Sequence, residues 1–147
     1  MGEGKILYDA SFYIEVLRSK SFAEAFRSRY EIDIPITFFS SVVVQELLAG
    51  ATDRLKRAVV EGLYRPFVRS GRIVTPSRSA WEEAGRVLGV MRGQRKDQVD
   101  RLAGSFVNDV LIATSAKTIG AKVVTLNSED FSLIRRYIPF SLETLEI

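Results

Sequence analysis

Four carboxylates fall where an ordinary globular chain has little use for them. Asp9 ends the run "KILYD", Glu46 interrupts "VVVQELLAG", Asp109 interrupts "FVNDVLIATSA", and Asp130 follows "VVTLNSE". Asp109 is the sharpest case. On a helical wheel it falls near the centre of the face made by Leu102, Phe106, Ala113 and Ala116, so its carboxylate points towards covered surface. Val107 and Leu111 lie on the other side, so much of this helix is covered. Glu46 shares its face less cleanly with Val42, Val43, Ala49 and Gly50. An ionised carboxylate in an apolar interior must protonate, meet a cation or open onto water. Several such acids in one cleft repel one another, and a divalent ion keeps them ionised together. The chain contains no histidine and no cysteine. Ser-His-Asp and Cys-His catalysis, disulfides and the usual zinc and copper sites are thereby excluded, which leaves oxygen-bound Mg²⁺ or Mn²⁺ as the metals these residues suit.

Each acid but one has a plainer use. Asp9 can N-cap a helix that begins near Ser11, Glu46 can pair with an arginine, and Asn127 with Asp130 have the spacing of an N-cap and its third residue. Those readings stand beside the metal reading. Asp109 lacks such an alternative, because a mid-helix Asp caps nothing and has poor helix propensity. Ser11 and Thr125 are ordinarily turn or cap residues; their neighbourhood makes them candidates to support the acids through hydrogen bonds.

The elements that must position these groups are legible in the apolar pattern. Runs at 5–11, 35–41, 72–77 and 122–128 read as strands ending in small polar or acidic residues, and "SLETLEI" reads as a last, short edge strand. Helical patterns lie between them. "SFAE" (21–24) and "SAWE" (79–82) match capping boxes, and Trp81, Ala84, Leu88 and Met91 repeat behind the second as a core stripe. Gly120 stops a helix that begins near residue 97, and Gly50 stops an earlier one. Alternating strands and helices predict an α/β fold whose mostly parallel sheet is covered on both faces, because parallel neighbours need crossover connections. Ligands bind such sheets outside the carboxyl ends of the strands. Asp9, Ser11, Ser40, Ser41, Thr125, Asn127 and Asp130 all collect there.

With 147 residues, 46% of them hydrophobic, the chain can close one core, and no repeat or linker divides it, so a single domain over 1–147 is expected. The N-terminal stretch holds no apolar run of signal-peptide or membrane-span length, which predicts a cytoplasmic protein without a membrane role. Net charge is +3 and the pI near 9.3, a mild bias that tolerates an anionic partner. Basic residues recur as Arg54, Lys56 and Arg57; Arg65, Arg69 and Arg72; Arg92, Arg95 and Lys96; and Arg135 with Arg136. A solvated surface accounts for any one cluster alone. "SFAEAFRSRY" and "EGLYRPFVRS" mix aromatics with arginine, suiting either an interface or packing between helices, with packing the better account.

Taken together and in order, "ILYDASFYIEVLR", "ITFFSSVVVQELLAG" and "FVNDVLIATSAKTIGAKVVTLNSEDF" resemble a PIN domain, and the length and spacing resemble a VapC-type toxin ribonuclease. The resemblance spans essentially the whole chain. It implies a three-layer α/β/α sandwich and a metal-dependent endoribonuclease that leaves a 5′-phosphate and a 3′-hydroxyl. It further implies Asp9 and Asp109 as the principal ligands of Mg²⁺ or Mn²⁺, Glu46 as a further acid holding metal or water, and Asp130 as the fourth member. Ser11 and Thr125 would support the site. Asn127 departs from a common form of the family, which has Asp there, and leaves open whether Asn127 or Asp130 faces the metal. The implied partners are RNA, a small antitoxin protein and a second copy of the chain in a homodimer.

Other classes share parts of this pattern. A housekeeping RNA-processing nuclease would keep the acids, and a noncatalytic PIN-like RNA-binding or scaffold module would keep the fold without holding metal. A phosphoaspartate protein also places Asp at strand ends, but the first strand carries no adjacent acidic pair and no DxDxT sequence. The chain has neither a GxxxxGK[ST] loop nor a GxGxxG turn for a nucleotide.

Overall fold

The structure, a computed structural model, describes residues 4–94 and 104–146. In chain order its elements are β1 (Lys5–Tyr8), α1 (Ala10–Arg18), α2 (Lys20–Asp33), a 3-10 turn (Ile34–Ile36), β2 (Thr37–Ser40), α3 (Ser41–Gly50), α4 (Arg54–Arg69), β3 (Ile73–Val74), α5 (Arg78–Gln94), α6 (Ser105–Ile119), β4 (Ala121–Thr125), α7 (Ser128–Arg135) and β5 (Ser141–Thr144). All the strands pair in parallel, in the order β3-β2-β1-β4-β5. Strand interiors are buried without alternation: Leu7, Tyr8, Phe39, Val123 and Val124 are all sealed from solvent. That is the signature of a sheet covered on both faces, here the middle layer of an α/β/α sandwich.

The topology places the site. From β1 the chain steps outward to β2 and β3, then crosses back to the far side of β1 with β4 and continues to β5. The reversal opens a crevice between the carboxyl ends of β1 and β4, the point where parallel sheets bind ligands. Register fixes which residues face each other there. Tyr8 pairs with Val124, and the backbone N–H of Asp9 donates to the Val124 carbonyl at 3.1 Å. Asp9 and Thr125 are therefore neighbours although distant in sequence.

The strands are shorter than the apolar runs, because the polar residue that ends each run turns the chain into a helix. Asp9 and Ser40 N-cap α1 and α3. The two expected capping boxes each lie two residues too late. Ser19, in extended backbone, caps α2 by accepting from the Phe22 N–H, and Ser77 accepts from the Ala80 N–H at 3.2 Å. Ser21 and Ser79 sit inside the first turns instead, each within hydroxyl contact of the capping serine. In α5 the buried face is Ala80, Ala84, Val87, Leu88 and Met91, while Trp81 is 55% exposed. Trp81 thus stands one position off the stripe that the sequence suggests.

Gly120 ends α6 in the left-handed region at φ 69°, where a side chain would be strained. The expected start of that helix near 97, and Leu102, lie outside the described residues. The aromatic-arginine segments pack inward: Phe22 and Phe67 are buried, and the Phe12 ring stacks with Tyr30 in the same cluster. Arg72 is structural, donating to the Thr37 carbonyl at 2.6 Å and to that of Ile34. No helix among the described residues is long and apolar enough to cross a membrane.

Candidate functional site

Asp9 is 2% exposed at the end of β1, and both its oxygens are engaged. The Ser11 hydroxyl donates to Oδ1 at 2.7 Å, the Thr125 hydroxyl donates to Oδ2 at 2.8 Å, and the Phe12 N–H caps onto Oδ1 at 3.4 Å. Each hydroxyl also accepts a backbone N–H, Ser11 from Leu126 at 3.0 Å and Thr125 from Asn127 at 2.8 Å. A hydroxyl has one proton, so the 3.2 Å contact between Ser11 and Thr125 is packing between two groups already committed to Asp9. Asp9 is therefore a helix cap whose carboxylate is fixed in orientation by two hydroxyls.

Asp109 is 6% exposed on a helix buried over 109–116. The Asn127 amide donates to its Oδ2 at 3.3 Å and to Asp130 Oδ2 at 3.1 Å, while Asn127 Oδ1 accepts the Asp130 N–H at 3.4 Å. Asn127 caps α7 and bridges two acids at once. Glu46, on α3, is half-buried, and its Oε1 is sealed from solvent with no hydrogen-bond partner.

Electrostatics tie these acids together. The Asp109 carboxyl is pushed up to about 8, first by burial and then by the charges of Asp9, Glu46 and Asp130, against the favourable Asn127 amide. Burial also raises Asp9, opposed by its hydroxyl and backbone donors. Glu46 is raised by burial, opposed by Asn108, with Asp9 adding to the rise. Asp109 feels all three of the other acids through space. Even so, among the described residues no three acidic side chains come close enough together to clasp one ion as they stand. An orphaned buried oxygen, a carboxyl forced towards its neutral form and an all-oxygen donor set fit a hard divalent cation.

All four expected acids thus lie around the β1–β4 crevice, with Ser11, Thr125 and Asn127 among them. Asn108 is the addition. Its only sequence signal is its place beside Asp109, where a wheel step of about 100° swings it from the sheet towards Glu46 on α3. Beside Glu46 opens a groove of about 640 Å³ lined by Ile14, Leu17, Leu47, Leu55 and Val59, with Arg18 and Lys56 at its polar positions.

The PIN domain family model matches residues 6–137. Among solved structures, DNA-bound VapBC from Salmonella typhimurium aligns with a TM-score of 0.69 at 22% identity, covering 97% of this chain and 98% of the other. VapBC-1 from nontypeable Haemophilus influenzae aligns with a TM-score of 0.67 at 18% identity, over 95% and 96% of the two chains. FitAcB from Neisseria gonorrhoeae gives 0.60 at 20% identity, over 93% and 95%. No curated protein matches the chain.

Proposed function

The chain belongs to the PIN domain family, and on that premise we propose that it is a metal-dependent endoribonuclease of the VapC toxin kind, a single nuclease domain restrained by a small antitoxin and acting as a homodimer. The observation that carries this reading is the buried Asp109 carboxyl, crowded by Asp9, Glu46 and Asp130 at the switch point of the sheet.

Asp9 and Asp109 would hold Mg²⁺ or Mn²⁺ with Glu46, and Asp130 would complete the acidic set. When bound, the ion supplies Lewis acidity and lowers the pKa of water. The chain's own part is to place and charge the surrounding groups. Ser11 and Thr125 fix the Asp9 oxygens, so that no rotamer search is needed when the site is used. Glu46, whose Oε1 has no hydrogen-bond partner, would hold the metal or orient its water. Arg18 and Lys56 border the groove beside Glu46 and would offset charge on RNA phosphates, with affinity falling as salt rises.

The antitoxin part of the proposal draws on the groove. Ile14 and Leu17 are each 42% exposed and Leu55 is 79% exposed, an apolar strip that runs to Glu46 and suits a peptide ending in a basic side chain. The similarity to the VapBC and FitAcB structures supports an antitoxin partner. The test is cleavage of a defined RNA by purified protein with Mn²⁺, with Mg²⁺ and with EDTA, for the wild type and Asp109→Asn. Cleavage that needs metal and vanishes in the variant is expected; full metal-dependent cleavage by Asp109→Asn would end the proposal.

A further inference from the structure

We infer that Asn127 restricts this centre to one divalent cation. The inference rests on the nuclease reading above and concerns what residue 127 does to it. Its amide has three partners: the Asp130 N–H and the Oδ2 atoms of Asp109 and Asp130. A backbone N–H can only donate, so it must take the amide oxygen, and the NH₂ group is left for the two carboxylates. The orientation of the amide follows from the chemistry of its neighbours.

The consequence is electrostatic. Between Asp109 and Asp130 the chain puts the positive end of an amide dipole. That group already neutralises part of the repulsion a cation would relieve. An ion entering there would have to displace two hydrogen bonds and face the N–H groups. Turning the amide to offer its oxygen would leave the Asp130 N–H at the start of α7 without its cap. Asp9, Glu46 and the second oxygen of Asp109 take no part in this bridge and would serve a single ion. A carboxylate at 127 would reverse this balance, bringing a negative charge and acceptor lone pairs to the same spot.

Calorimetric titration of Mn²⁺ into the full chain, wild type and Asn127→Asp, reads the stoichiometry directly. Asp caps a helix as well as Asn does, so the variant keeps α7, and a thermal melt verifies its fold. One ion per chain is expected for the wild type and two for the variant. Electron paramagnetic resonance should then show isolated Mn²⁺ in the first and a spin-coupled pair in the second. Two ions in the wild type, a reading that needs no variant, would overturn the inference, as would one ion in a folded Asn127→Asp. No ion at all in the wild type is a different result, which removes the nuclease reading itself.

Discussion

Two acidic regions of this molecule share the strand β4 and meet opposite fates. At its sheet-edge side Glu143 of β5 receives the two terminal guanidinium nitrogens of Arg29, at 2.6 and 2.8 Å, and Lys122 at 2.8 Å. Arg29 also reaches Asp33 at 3.3 Å, and Asp33 accepts the Tyr8 hydroxyl at 2.8 Å. The Arg29 bond holds Glu143 down at about 2, with Lys122 assisting against partial burial. At the carboxyl end of the same strand, Asp109 is pushed up to about 8 by burial and by other acids. The chemistry of the side chain is alike in the two places. What differs, among the described residues, is the neighbour each acid meets: Glu143 meets a guanidinium and an ammonium, whereas Asp109 meets an amide and other acids.

Asp109→Asn is the strongest way to break the contrast. Loss of a metal ligand should cut metal-dependent RNA cleavage by at least about a hundredfold, since even groups supporting a ligand cost 10- to 100-fold. The metal-free variant should also melt higher than the wild type at alkaline pH, because a buried, uncompensated charge has been removed. An acid that merely fastened the fold would lose stability on the same change.

The pH dependence of the metal-free protein sharpens it next. Asp109 is raised from 3.8 to about 8, so its contribution to stability is present below the unfolded value and lost as pH rises through about 8. Unfolding free energies from urea titration in EDTA should fall between pH 5 and pH 9, by about a few kcal/mol at most, and excess Mn²⁺ should flatten the fall. Glu143 is lowered from 4.5 to about 2. Its contribution is present above the unfolded value and lost as pH falls through about 2. The two regions fail at opposite ends of the scale.

Much of this contrast was legible in the chain, and the remainder has physical reasons for hiding. Asp109 announces itself because a mid-helix acid breaks a local rule, and β5 was visible as a short edge strand. Glu143, by contrast, is an unremarkable acid in "SLETLEI"; its partners Arg29 and Lys122 come from α2 and β4, and only the fold brings them together. Asn108 is hidden for the same reason, since its role depends on α3 lying beside α6. The misplaced capping boxes have a local cause. In "SKSF" and "SRSA" two serines compete for one cap, and which one wins is decided by where Phe22 and Ala80 must be buried.

Thr125→Val tests whether the acids are held by the hydroxyls. The change keeps the side chain's shape, removes the donor to Asp9 Oδ2 and leaves the Asn127 N–H without its acceptor. About tenfold weaker Mn²⁺ binding by calorimetry is expected, along with a loss of about 1–2 kcal/mol in urea unfolding. Unchanged metal affinity would mean that Asp9 is positioned by its helix cap alone.

Glu143→Gln is the mildest change and bears on the other half of the comparison. It leaves the shape of the side chain intact and removes the charge that Arg29 and Lys122 share. The pair is about one-third exposed on both sides, so water and salt already screen much of its attraction, and a loss of about 1 kcal/mol in urea unfolding is expected, smaller at high salt. Arg29 keeps Asp33, which limits the damage further. Cleavage per folded molecule and Mn²⁺ affinity should not move, because Glu143 has no part in the field that raises Asp109. If Glu143→Gln weakened metal binding as much as Thr125→Val, β4 would be transmitting charge from one region to the other, and the two sets of acids could no longer be treated as independent.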